Sequence, residues 1–336
     1  MAKFNYKLLR ADANAAVAGF GKTAVKLIAI HAGLSIGANF ILSLLSYLLD
    51  MGIAQTGGLS GIGTRTLLET VQQILQTVVS IALPFWQMGY VFSALQMARG
   101  ESADSVNLLV GFRHFGPILR THILRGVVYF VLMMFGAQVA CYVFLLTPAA
   151  KNVMAIMEEM LAAMDPAEPL DYEALLNNEA YMQAMMPAVP YVLAGMVLPV
   201  IPFLYRLRMM DFALMDDPGK GAFYAFGKSM RITRKNCLAI FRMDLHFWWY
   251  YLLQMLTLAL GYGDVLLPLL GVQLDVNADL AMYLFYALAL IAEFGLYVWK
   301  KNQVTATYVL LYDQIRKPAI LQSQPQPKPQ NVPWNV

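Results

Sequence analysis

RLRMMDFALMDDPGKGAFYAFGKSMRITRKNCLAIFRMDLHFWWY, residues 206–250, decides how this chain is read. It carries Arg206, Arg208, Lys220, Lys228, Arg231, Arg234, Lys235 and Arg242, and it lies between two long apolar runs. A basic, amphipathic segment in that setting is expected to lie on a negatively charged membrane face. Phe223, Phe226 and Met230 then turn toward hydrocarbon, while Lys228, Arg231, Arg234 and Lys235 meet anionic lipid headgroups. Each such contact contributes about 1 kcal/mol. Nucleic-acid binding uses similar charge, but the flanking apolar runs leave the segment little reach, so no nucleic-acid partner is expected. Trp248, Trp249 and Tyr250 follow and read as an interfacial aromatic belt.

Composition agrees with this setting. Of 336 residues, 59% are hydrophobic and 13% charged, with mean hydropathy +0.54. A soluble domain carries about 25% charged residues. The apolar residues fall in runs of roughly 20, the length a helix needs to cross about 30 Å of hydrocarbon. A transmembrane β-barrel would instead show short alternating segments. The expectation is an all-α fold: a polytopic membrane helical bundle of about six transmembrane helices, with inner-face amphipathic helices.

Working outward, the six expected spans cover residues 24–49, 71–97, 127–147, 189–210, 240–260 and 280–299. The first is too long for a signal-peptide core and reads as a retained span. Pro84 marks an expected kink in the second. Residues 1–24 read as a short interfacial helix, and Asp104 as the cap of another in the 98–126 loop. Residues 1–315 read as one membrane domain, with a disordered Pro/Gln tail over 316–336. When the N-terminal segment, the 98–126 and 206–246 loops and the C-terminal segment are placed on one side, 22 of the 24 Lys and Arg lie there. Only Arg65 and Lys151 lie on the other. That asymmetry predicts cytoplasmic termini. The acidic, Met-rich insertion over 148–186 then faces outward. Its Met154, Met157, Met160 and Met164 form one helical stripe, read as an adaptable apolar surface rather than as a copper site.

Few residues bear chemistry. Glu293 is the acidic residue well inside an expected span, where a charge costs on the order of 2–3 kcal/mol unless it pairs or snorkels. His31, Gln87, Gln138 and Gln254 are its candidate partners. The residues Gly261, Tyr262, Gly263 and Asp264 match the G-x-G-D signature of intramembrane aspartyl proteases. That chemistry needs a second carboxyl at the same depth. Asp211 and Asp244 are expected at the opposite face, so the protease reading is disfavoured. The glycine-rich loop over 56–65 lacks the GK[ST] of a phosphate-binding loop. Cys141 and Cys237 have no metal spacing and are expected at different depths, unpaired. No catalytic residue, cofactor or metal is expected.

Three segments carry a family resemblance. YAFGKSMRITRKNCLAIFRMDLHFWWYYLL (224–253), VTATYVLLYDQI (304–315) and ALQMARGE (94–101) resemble, in order, segments of the bacterial membrane family catalogued as domain of unknown function 975. More distantly the layout is similar to the membrane domain attached to some glycerophosphodiester phosphodiesterases. The resemblance implies a multi-pass protein of the bacterial cytoplasmic membrane. It supplies no catalytic residues. The leading expectation is a non-catalytic membrane protein that scaffolds or assists an envelope or export process, touching anionic lipids and other membrane proteins. The alternative is a small transporter or lipid-handling protein with a cavity near Glu293. A wide polar cavity reaching Glu293, or a lipid-filled groove, favours the alternative; a tightly packed bundle with an exposed small-residue face favours the first.

Overall fold

The computed structural model describes residues 4–55, 61–163, 179–263, 266–267 and 278–316, and among these every regular element is helical. Helix α1 spans Tyr6–Phe20. Its N-cap Asn5 accepts the Leu8 N–H at 3.1 Å, and Gly21 ends it at φ 49°. The long helices α2 (Lys22–Gln55) and α3 (Gly61–Arg99) follow, α3 running through Pro84. At 1.5 Å per residue they are about 50 and 60 Å long. A 3₁₀ turn, Ser105–Leu109, is capped by Asp104 as expected and leads into α4, Val110–Arg113. Next come α5 (Phe115–Leu145), α6 (Pro148–Ala163), α7 (Glu179–Met185), α8 (Ala188–Val197), α9 (Val200–Leu207) and α10 (Met210–Asp216). The basic stretch forms α11 (Gly221–Thr233) and α12 (Cys237–His246), followed by α13 (Trp248–Gly261). Finally α14 (Ala278–Leu296), a π-helical turn (Tyr297–Lys301) and α15 (Asn302–Arg316) run without a break.

Five helical segments among the described residues are long and apolar enough to cross a membrane: Lys22–Leu45, Thr70–Arg99, Phe115–Leu145, Ala188–Asp216 and Met282–Arg316. They match five of the six expected spans. The sixth, over 240–260, is not one helix. It breaks at Phe247, whose backbone (φ −110°, ψ 16°) ends α12 and opens α13. Alone, the 14 residues of α13 reach only about 21 Å. Two neighbours account for the break. Phe247 is buried, and Asp244 accepts the hydroxyls of Tyr251 (3.1 Å) and Tyr308.

The chain forms two compact units, residues 1–121 with 209–336 and residues 122–208. In the larger unit α15 is the packing centre. Asn302, Val304, Ala306, Thr307, Tyr308, Val309, Leu311 and Tyr312 are all buried, with α1, α3 and α11 against them. The 3₁₀ turn and α4 press onto α3 through two glycines. A Cβ on Gly89 would lie 2.0 Å from the Leu108 carbonyl oxygen, and one on Gly111 1.9 Å from that of Phe85. In the smaller unit α5 crosses α8 the same way, Gly136 and Gly195 bringing the two backbones together. Helices α6 and α7 pair there through Ala150, Val153, Tyr181 and Met185. Met154, Met157, Met182 and Met186 are exposed; Met164 lies outside the described residues.

Candidate functional site

Helices α2, α3, α13 and α14 leave polar space beside Glu293. A cavity of about 370 Å³ is lined by Asn39, Leu42, Ser43, Gln72, Gln76, Ser80, Tyr286, Leu290 and Glu293. On the other flank of α14 a second, of about 420 Å³, is lined by Gln254, Thr257, Leu258, Gly261, Tyr286, Ala289, Leu290 and Glu293, among others. Both volumes fall in the range of small-ligand pockets, about 300–1,000 Å³. Tyr286, Leu290 and Glu293 belong to both because spacing of four and three residues puts them on one stripe of α14. The Ser43 hydroxyl donates to the Tyr286 hydroxyl at 3.2 Å, tying α2 to that stripe.

From Glu293 a string of polar groups runs along the helix. Tyr297 follows Glu293 by four residues on the same face of the helix, and the two side chains are electrostatic neighbours. One turn on, the Lys301 ammonium sits 3.7 Å from the Tyr297 ring centroid and 3.3 Å from His31 Nε2. His31 is buried and stacks on Tyr90 with centroids 4.4 Å apart. Gln87 approaches its ring, although Nδ1 meets no partner in hydrogen-bonding geometry among the described residues. The Tyr90 hydroxyl donates to Asn302 Oδ1 at 2.9 Å, and Asn302 Nδ2 donates to the Ala24 carbonyl at 2.8 Å. The π-helical turn is what swings Tyr297 and Lys301 into this row. Such turns carry i→i+5 bonds and recur at functional positions.

The structure therefore brings Glu293, His31, Gln87 and Gln254 into one region. Gln254 shares a cavity with Glu293 and donates to the Tyr250 hydroxyl at 3.4 Å. His31 and Gln87 connect to Glu293 through Lys301 and Tyr297. Gln138 belongs to the smaller unit. Sequence reasoning missed Tyr297, Lys301 and Tyr90. The available signal was a 3.6-residue stripe, Glu293–Tyr297–Lys301, which is hidden if Lys300 and Lys301 are taken as the end of the span. Asp264 lies outside the described residues, while Gly263 packs against the Phe285 ring.

A second polar cluster lies where α3, α10, α11 and α15 meet. Asp216 receives Lys228 Nζ at 2.9 Å, Arg99 Nη2 at 3.0 Å, the Tyr312 hydroxyl at 3.0 Å, and Arg316. Arg99 also holds Asp313 with two bonds, of 2.9 and 2.8 Å. Lys228 and Asp216 side chains are each only 8% exposed. Burial opposes the Lys228 charge, but the hydrogen bonds to Tyr312 and Asp216 outweigh it and hold its pKa above the ordinary lysine value.

This corrects the reading of Lys228 as a headgroup contact. On α11 it shares the buried face with Ala222, Ala225, Ser229 and Thr233, while Phe223, Arg231, Arg234 and Lys235 are exposed. The aromatic belt is likewise corrected at one position. Trp248 is exposed and Trp249 half-buried against Trp299, but Tyr250 is buried in the core. Cys141 and Cys237 are free, as expected. No family model, curated protein or solved structure matches the chain.

Proposed function

We propose that this is a multi-pass membrane protein that binds a small cationic or polar group at Glu293 and moves it through the cavities beside α14. One observation carries the reading: a carboxyl inside a candidate span faces a polar-lined cavity on one flank of its helix and a second, mainly apolar cavity on the other. An acidic side chain that served packing alone would be enclosed by donors, as Asp216 is. Carboxyls inside spans are costly and recur where ions or substrates pass. The neighbouring Gln, Asn, Ser and Thr side chains supply hydrogen bonds, and Lys301, whose charge reaches Glu293, sits beyond them against the Tyr297 ring. This reading departs from the leading expectation of the sequence, a scaffold for export or envelope assembly, in favour of its alternative.

The same proposal places the protein in a bacterial cytoplasmic membrane with both termini inside. Sorting of Lys and Arg and the resemblance of residues 94–101, 224–253 and 304–315 to the family of domain of unknown function 975 support that placement. Exposed Arg231, Arg234 and Lys235 suit contact with anionic headgroups.

The test is flux in liposomes containing the purified full chain. Uptake of radiolabelled ethanolamine, a small primary amine, should exceed that of protein-free liposomes and fall to background with Glu293→Gln. Uptake unaffected by the substitution would refute the reading.

A further inference from the structure

A third cavity adjoins the Glu293 site and differs from it in kind. It holds about 370 Å³ between α2 and α14 and is lined by Gly33, Ile36, Gly37 and Phe40 with Ala287, Leu290, Ile291 and Phe294. The lining is almost wholly apolar. Leu290 lines this groove and both cavities beside Glu293, so the three spaces meet at one side chain. Helix periodicity makes the arrangement: on α2, positions 33, 36, 37 and 40 form an apolar stripe, and Asn39 and Ser43 form a polar one beside it. On α14, Ile291 and Phe294 face the groove while Tyr286 and Glu293 face the polar space.

The glycines strengthen the case. Gly89, Gly111, Gly136 and Gly195 each let two backbones touch. Gly33 and Gly37 do not: a Cβ on either would meet nothing within 4 Å. Their lack of side chains therefore keeps a groove open rather than closing a helix contact.

We infer that the cleft between α2 and α14 binds a single phospholipid with a primary-amine headgroup, its acyl chain along Gly33, Gly37 and Phe294 and its ammonium at Glu293. This deepens the function proposed above and rests on it. Charge complementarity selects the headgroup. The Glu293 carboxylate accepts from an ammonium, and the Gln76 amide, with the second N–H of Asn39 whose first goes to the Ser35 carbonyl, can donate to phosphate oxygens. A phosphatidylglycerol head offers no cation to Glu293. A phosphatidylcholine head offers a cation with no N–H to donate.

Native mass spectrometry of the full chain, with equal amounts of phosphatidylethanolamine, phosphatidylglycerol and phosphatidylcholine added in mild detergent, tests the inference. Phosphatidylethanolamine should be retained about tenfold over the other two, a preference equal to ~1.4 kcal/mol. Glu293→Gln should erase the preference while leaving weak, headgroup-blind retention. A Cβ at position 37 meets nothing within 4 Å, so Gly37→Leu places its side chain in the groove and should remove retention of all three lipids, its unfolding temperature being unchanged or higher. Equal retention of the three lipids by the unsubstituted chain, or full retention by Gly37→Leu, would overturn the inference. If lipid preference is absent but ethanolamine flux still depends on Glu293, the lipid assignment alone falls; if both are absent, the cavity reading falls with it.

Discussion

Two carboxylates in the same unit stand in opposite surroundings. Asp216 is enclosed by Arg99, Lys228, Arg316 and Tyr312, while Glu293 has Tyr297 on one side and open space on two flanks, polar-lined on one and mainly apolar on the other. The first pins four helices together where the packing is tightest, around α15. The second sits where α2, α3, α13 and α14 leave gaps. The difference teaches that the charge of a carboxyl says little about its use; how far its partners are already supplied by the fold says more.

The largest expected effect breaks the Asp216 side of the comparison. Asp216→Ala leaves the buried Lys228 ammonium and Arg99 without their shared acceptor, and should cost about 3–5 kcal/mol of stability, read as a lowered unfolding temperature in detergent. Glu293→Gln should leave that temperature unchanged. A similar loss in both variants would erase the distinction.

Glycines sharpen the same contrast between closed and open regions. Gly89→Ala drives a Cβ into the Leu108 backbone and should destabilise by about 1–3 kcal/mol. Gly37→Ala enters empty space and should stabilise by about 0.5–1 kcal/mol, since glycine is the poorer helix former. Thermal unfolding of the two variants side by side checks both signs.

On α11 the contrast is between a buried base and an exposed one, the latter giving the smallest effect. Lys228→Met removes a buried ion-pair partner and should cost about 1–3 kcal/mol, whereas exposed Arg231→Gln should stay within about 0.5 kcal/mol. Arg231→Gln should instead weaken binding to anionic vesicles in a flotation assay, and Lys228→Met should not.

Much of this fold was legible from residue patterns. Runs of apolar sequence placed five spans, and Asp104 stood where a cap belongs. The break at Phe247 was not legible because DLHFWWY contains neither proline nor glycine. It arises from long-range bonds, Tyr308 to Asp244 above all, joining residues 64 apart. Lys228 was misread for a related reason: its helix presents small residues on the same face, and only the arrival of Asp216, Tyr312 and Arg99 turns that face into a buried socket. Glu293 was found because a lone acid in an apolar run stands out. Lys301 was not, because a basic residue near the end of an apolar run looks like an ordinary boundary even where, as here, the sequence beyond it to about Gln314 is helix-prone.

The central claim, that a cation can reach Glu293 through polar space, is tested most directly by thiol labelling at Gln76, which lines the cavity with it. With Cys141 and Cys237 replaced by Ser, Gln76→Cys should react with a cationic methanethiosulfonate faster than with an anionic one. The excess should be about tenfold, equivalent to ~1.4 kcal/mol of preference, and should vanish when Glu293→Gln is added. No reaction at position 76, or equal rates for the two reagents with Glu293 in place, would contradict the account.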